Sequence, residues 1–300
     1  MELVIVGSLA LDTIEAPAGR VENEVGGSAT YASLAASYFT KPGLVGIVGT
    51  DFPPEQKKAF EAHGINLAGM QIAEGKTFRW GGRYSPHLDQ RETLFTELNV
   101  FEKFSPELPE SFQSAPYVLL ANIQPDLQHH VLDQIVGKPF VAVDTMNLWI
   151  NTALESLKRL LHRTDLLIVN DEEAKMLTGE TGYGAAARAL QNMGPRWLVI
   201  KKGQHGALLF GPDEAVFSAP ALVYSRVTDP TGAGDAFAGG MLGYLAQTGD
   251  TGFATLRRAV IHGSVMSSFA IEDFSATGLL SLKSSALENR YAKFQEIANF

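Results

Sequence analysis

The segment Asp229-Pro230-Thr231-Gly232-Ala233-Gly234-Asp235-Ala236-Phe237 concentrates more potential chemistry than any other part of this 300-residue chain. Two glycines flank an alanine, a carboxylate follows at once, and a long apolar helical pattern begins. That order sets consecutive backbone N–H groups at a helix N-terminus, where partial positive charge collects and anions bind. Glycine lets the backbone approach an anion with no Cβ in the way. A hydroxyl that must lose a proton and attack phosphorus would find both parts of its chemistry within one turn. Gly232, Ala233 and Gly234 would hold the charge and Asp235 would accept the proton. The plainer reading is a glycine-rich loop with Asp235 as an ordinary helix-start charge.

Four further groups stand out. Asn170-Asp171-Glu172-Glu173 follows a buried apolar run and fits a capping box, with Asn170 as N-cap and Glu173 three residues on. Lys201-Lys202-Gly203-Gln204-His205-Gly206 ends another apolar run in a tight turn, where either lysine could meet a phosphate or simply be solvated. Asp12 follows the first strand and reads as a pocket carboxylate or a turn residue. Gly26-Gly27-Ser28 opens the next helix, as a pocket wall or as tight helix–strand packing. His262 lies in a late helical pattern, as a ligand-side polar group or a core histidine. His129 and His130 are adjacent, so on a helix they diverge by roughly 100° and form no metal pair.

Two nucleotide motifs fail on inspection. The dinucleotide pattern would need glycine where Phe237 stands, and a Walker A loop ending in Gly75-Lys76-Thr77 would need glycine at Met70.

The elements that must position these residues alternate. Continuous apolar runs at Leu3–Val6, Leu44–Val48, Tyr117–Ala121, Phe140–Val143, Leu166–Val169 and Trp197–Ile200 read as strands covered on both faces. Helical patterns lie near Ala29–Tyr38, Glu55–Ala62, Asp126–Ile135, Thr152–Leu161 and Ala185–Met193, with Leu256–Ala270 and Lys283–Ala298 at the end. This predicts an α/β fold: a doubly wound, mostly parallel central sheet with helices on both faces, in a single domain over 1–300. Ala207–Phe210 and Ala215–Ser218 read as an antiparallel hairpin. Lys76–Tyr84 and Arg91–Phe101 alternate polar and apolar residues instead, the pattern of a half-exposed sheet. With residues from 12 to 25 they predict a small β lid, formed by about 12–25 and 76–101.

Composition narrows the classes. The net charge is −9 and the pI about 5.3, and no basic block suggests a nucleic-acid surface. With no cysteine, disulfides and thiol catalysis are excluded. No apolar run approaches the roughly 20 residues of a membrane span, so no membrane partner and a cytoplasmic location are expected. The half-exposed lid sheet leaves edges that a second copy could cover, which suggests a homodimer.

Taken together and in order, Asp12, Gly26-Gly27, Gly46–Asp51, Asn170–Glu173, Gly203–Gly206 and Gly232–Asp235 resemble the ribokinase/PfkB family of carbohydrate and nucleoside kinases. The resemblance spans nearly the whole chain and implies transfer of the γ-phosphoryl group of ATP to an alcohol of a sugar or nucleoside. It implies Asp235 as general base with Gly232, Ala233 and Gly234 as anion hole. It also implies Mg²⁺ arranged near Asn170 and Glu173, with Glu173 acting through water, and a monovalent cation as a further ligand. Lys201, Gly203, Gly206 and His262 would border the nucleotide. Asp12, Gly26, Gly27 and Ser28 would form the acceptor pocket, with Asn122 and Asn147 at neighbouring strand ends. Ribokinase itself resembles Gly-Gly-Lys-Gly-Ala-Asn where this chain has Gly26-Gly27-Ser28-Ala29-Thr30-Tyr31. That difference departs from ribose recognition and resembles the nucleoside-kinase side, with adenosine as a candidate. A member that kept the fold for binding or regulation, without turnover, is the alternative.

Overall fold

The computed structural model describes residues 1–222 and 226–298. Its strands are β1 (Leu3–Val6), β2 (Ala10–Ala16), β3 (Gly19–Gly26), β4 (Gly43–Gly49), β5 (Asn66–Ala73), β6 (Phe78–Tyr84), β7 (Arg91–Glu97), β8 (Tyr117–Leu120), β9 (Phe140–Asp144), β10 (Leu166–Asn170), β11 (Trp197–Lys201), β12 (Ala207–Phe210) and β13 (Val216–Ala219). The helices are α1 (Ser28–Ser37), α2 (Pro54–Ala62), α3 (Pro125–Gln134), α4 (Asn147–Thr152), α5 (Leu154–Leu161), α6 (Asp171–Thr178), α7 (Tyr183–Gln191), α8 (Ala233–Thr248), α9 (Phe253–Ala270), α10 (Thr277–Leu280) and α11 (Ser284–Ala298).

Nine strands form one sheet in the order β13-β12-β11-β10-β9-β8-β1-β4-β5. All neighbours from β11 to β5 run parallel, and β12 and β13 fold back antiparallel. Side chains alternate across a strand, and here they build two cores. Leu3 and Ile5 enter one with α1, α8 and α9, while Val4 and Val6 enter the other with α3, α5, α6 and α7. Burial on both faces is why the strands read as unbroken apolar runs. The chain leaves β1 towards β4 on one side and returns beside it through β8 on the other. Such a reversal opens a crevice at the carboxyl ends of the strands.

The second sheet has four strands in the order β3-β2-β6-β7. Its two hairpins are antiparallel, and they join through the parallel pair β2–β6. The alternating segments anticipated this sheet. Asp51, just past β4, accepts from both the Thr77 N–H and hydroxyl at 2.7 Å and pairs with Arg79 at 2.9 Å, which ties the sheet's root to the main body. The Gly75-Lys76-Thr77 stretch thus has a structural role, with Thr77 fully buried.

Two expectations are corrected. The helix expected near Thr152–Leu161 starts at Leu154, because Ala153 leaves helical geometry at φ −139° and ψ 31°, and a separate short helix, α4, precedes it. An unexpected strand, β5, pairs parallel with β4 at the sheet edge. Its mixed burial hides the continuous apolar run that marks the inner strands.

Candidate active site

Five strand ends supply the floor of the crevice. Ser8 follows β1, Asn122 follows β8, and Asp144, Asn170 and Lys201 close β9, β10 and β11. The Lys201 ammonium donates to Asp144 Oδ1 at 3.2 Å. Burial disfavours the charged lysine, but Asp144, Glu173 and Asp235 around it outweigh that and raise its pKa. Lys202 points elsewhere, over the Tyr183 ring at 5.8 Å. Of the two lysines, Lys201 therefore joins the cluster.

The loop before α8 forms the wall. Asp229 is fully buried and accepts the N–H of Thr231 and of Ser275, each at 2.9 Å. Gly232 is the N-cap at φ 74°, a left-handed conformation that favours glycine. A Cβ there would come within 2.3 Å of the Tyr31 ring, so both backbone shape and packing require glycine. A Cβ on Gly234 would lie 3.0 Å from the Lys201 ammonium nitrogen. Among the described residues, the Gly234 and Asp235 N–H groups have no backbone acceptor. Two donors left without a backbone acceptor at the start of a 16-residue helix, the Asp235 N–H turned to its own carboxylate, are what an anion needs. Asp235 sits beside them. Burial, together with the negative charge of Asp144, pushes its pKa up to about 7, against the pull of Lys201.

Asp12 lies across the crevice on β2, where the β2–β3 register shifts. It is 3% exposed and its Oδ1 has no partner. Burial, reinforced by Asp229 and Asp235, pushes its pKa up to about 8. Gly26 makes room for it, since a Cβ there would fall 1.9 Å from Asp12 Oδ2. Gly27 caps α1 at φ 94°, with the Ser8 carbonyl 2.5 Å from any added Cβ. Ser28 is already engaged by the Ser8 N–H at 3.1 Å and by the Asn122 carbonyl. Asn122 accepts from the Trp149 indole at 2.8 Å and donates to the Met146 sulfur at 3.1 Å. Asn147 is exposed at the start of α4 and stands outside this cluster.

Asn170 and Glu173 form a full capping box. Each side chain accepts the other's backbone N–H at 2.8 Å. Only Oε2 of Glu173 is used, and among the described residues Oε1 makes no hydrogen bond. Burial pushes Glu173 up to about 7, opposed by Lys201 and assisted by Asp144. No cage of three or more metal-binding side chains exists among the described residues. Mg²⁺ rarely needs one, because it is held through one or two carboxylates plus water and phosphate. The free oxygen of Glu173 fits that mode.

Gly203 and Gly206 shape the turn after β11, at φ 54° and 81°. His262 does not join the cluster. Its ring is stacked between Tyr244 and Tyr291, with centroids 4.2 and 4.3 Å away, and burial lowers its pKa to about 4. Tyr244 lies nine residues along α8 from Asp235, roughly 13 Å at 1.5 Å per residue.

Reasoning on the sequence missed Tyr31, Asp229, Tyr84 and the pairing of Asp144 with Lys201. Asp229 alone carried a local signal, as the carboxylate opening the glycine-rich segment.

The family described as pfkB family carbohydrate kinase matches residues 2–282. The chain belongs to the pfkB family. A cytidine kinase of Thermococcus kodakarensis is 33% identical over 247 residues, covering 81% of this chain and 87% of that protein. Among solved structures, a nucleoside kinase of Methanocaldococcus jannaschii superposes with a TM-score of 0.77 at 19% identity, covering 98% of this chain and 99% of that one. An E. coli protein assigned as a ribokinase II, in complex with ATP and Mg²⁺, gives a TM-score of 0.80 at 14% identity over 97% of this chain and 99% of that one. These structural likenesses bear out the ribokinase-like α/β fold with its small sheet. The family assignment carries the coarse function with it, a kinase acting on a sugar or nucleoside. Among the described residues no helix is long and apolar enough to cross a membrane.

Proposed function

We propose that this chain transfers the γ-phosphoryl group of ATP to a hydroxyl of a nucleoside, with Asp235 as general base. The observation that carries the reading is Asp235 beside two N–H groups without a backbone acceptor at the start of α8, facing Lys201. The acceptor hydroxyl gives its proton to Asp235 as its oxygen bonds phosphorus and the bond to the departing ADP oxygen breaks. A carboxylate with a pKa near neutrality suits that task. The Gly234 and Asp235 N–H groups and Lys201 would stabilise charge on the transferring group. Glu173, with Asn170, would hold Mg²⁺ through water, and the ion when bound supplies neutralisation of phosphate charge.

Asp12, with an unpartnered buried oxygen, would accept acceptor hydroxyls. A nucleoside is favoured over a bare sugar by two things. Trp80 pairs in register with Asp12 and offers an aromatic ring next to the hydroxyl site. The relatives above include a cytidine kinase and a nucleoside kinase. The small sheet would close over the acceptor and exclude water.

The test is ADP release with ATP and a panel of nucleosides and sugars. Asp235→Asn should lower kcat about 10²–10⁴-fold while ATP affinity holds. Near-normal turnover of the best acceptor by that variant would rule out Asp235 as base, and activity on sugars alone would overturn the nucleoside reading.

A further inference from the structure

The end of β8 carries a side-chain amide that the reaction above does not use. Asn122 stands on the acceptor side of the crevice. Its carbonyl accepts the Ser28 hydroxyl at 3.3 Å, and Ser28 follows the Gly26-Gly27 turn that makes room for Asp12. The Asn122 side chain is half-buried, as are Met146, just past the end of β9, and Trp149 on α4. Oδ1 accepts the Trp149 indole N–H at 2.8 Å, and Nδ2 donates to the Met146 sulfur at 3.1 Å. An indole N–H only donates, so it fixes which end of the amide is oxygen. A thioether is a weak acceptor and holds the nitrogen lightly.

An amide nitrogen carries two N–H groups and an amide oxygen two lone pairs. Among the described residues the Asn122 side chain makes no other hydrogen bond, which leaves one donor and one acceptor side by side. A donor and an acceptor in fixed order read one edge pattern. Cytosine and adenine present an exocyclic amine beside an unprotonated ring nitrogen. The amine donates to Oδ1 and the ring nitrogen accepts from Nδ2. Uracil and hypoxanthine present a ring N–H beside a carbonyl, the reverse order. An amide free to turn over would serve both kinds. Trp149 opposes that turn, because it would set the indole N–H against the amide N–H.

We propose that Asn122, with its amide locked by Trp149, selects amino nucleobases over keto nucleobases at the acceptor site. This rests on the nucleoside reading, so the test has a binding arm that needs no turnover. Cytidine, uridine, adenosine and inosine are titrated by calorimetry into wild type, Asn122→Asp and Trp149→Phe. Turnover of each nucleoside with ATP is then measured. Wild type should prefer cytidine to uridine, and adenosine to inosine, at least about tenfold in Kd, the worth of one two-point amide contact. Asn122→Asp keeps an acceptor for the indole but sets an oxygen against the ring nitrogen, so the preference should fall at least about tenfold. Trp149→Phe frees the amide, so the preference should fall because the keto nucleosides gain. Loss of packing alone would weaken all four together. Thermal unfolding checks that each variant is folded, and if one is not, the other decides. Wild type binding amino and keto partners equally, or either folded variant keeping the full preference, overturns the proposal. Selective binding with no phosphorylation of any nucleoside would sink the phosphotransfer reading and leave the Asn122 assignment standing. Phosphorylation of nucleosides without the preference would do the reverse.

Discussion

Replacing Asp12 by asparagine should make the ligand-free protein more stable relative to wild type as pH rises. The Asp12 carboxyl goes from an ordinary 3.8 to about 8 on folding, first through burial and then through Asp229 and Asp235. A group whose folded pKa is raised contributes stability that is complete below its unfolded pKa and is lost as pH rises through the folded one. From 3.8 to about 8 the native state thus holds a proton that the unfolded chain has released. Each pH unit in that window removes about 1.4 kcal/mol. Because Asp12 is only 3% exposed, little solvent screening reduces this. Between about pH 5.5 and 7.5, wild type should lose about 2–3 kcal/mol relative to Asp12→Asn. Glu173 and Asp235, each pushed up to about 7, slope the same way. His262 opposes them below its ordinary 6.5, since its folded pKa falls to about 4 and its contribution is lost as pH drops through that range. All three remain in both proteins, so the difference isolates Asp12. Urea unfolding at the two pH values, without nucleotide or acceptor, measures it. A difference that does not change with pH, or that shrinks as pH rises, would falsify the assignment of Asp12 as a buried carboxyl protonated at neutral pH. The same variant should also raise the acceptor KM at least about tenfold, because hydroxyl donors favour the ionised carboxylate and so draw Asp12 into that form on binding, which asparagine cannot adopt.

Gly232→Ala should cost about 2–5 kcal/mol of stability in urea unfolding, by adding a left-handed penalty to a 2.3 Å clash with the buried Tyr31 ring. Unfolding like wild type would mean the loop before α8 is not held in this shape. His262→Phe should preserve the stack with Tyr244 and Tyr291 and remove a buried, unpartnered Nδ1. ATP affinity by calorimetry should then be unchanged, whereas a clear loss would return His262 to the nucleotide site.

What the sequence made legible follows from how local each feature is. The strands under two helical layers announce themselves because every residue of Leu3–Val6 and Leu166–Val169 is buried. The small sheet is legible by its alternation, but the parallel joining of β2 to β6 links residues more than sixty apart, and nothing local encodes it. The loop before α8 is legible because glycine, glycine and aspartate act within one turn. The pairing of Lys201 with Asp144 spans 57 residues and appears only when two strand ends lie side by side. Tyr84 and Thr231, 147 apart, meet for the same reason.

The reading of Glu173 shows why one residue can support two interpretations. From sequence, the capping box and the metal-side role look like rivals for the same side chain. In the fold the cap takes one oxygen and leaves the other for the proposed metal-side role. Oε2 accepts the Asn170 N–H at 2.8 Å, which orients the carboxylate at the end of β10. Oε1 remains available to water or a cation. Burial raises the Glu173 pKa to about 7, with Lys201 pulling the other way. A divalent cation nearby would favour the ionised form. The cap is therefore what aims the carboxylate into the crevice. A helix start that satisfies its own backbone donors can also support a site, so the structural role of Asn170 is compatible with the one proposed for Glu173.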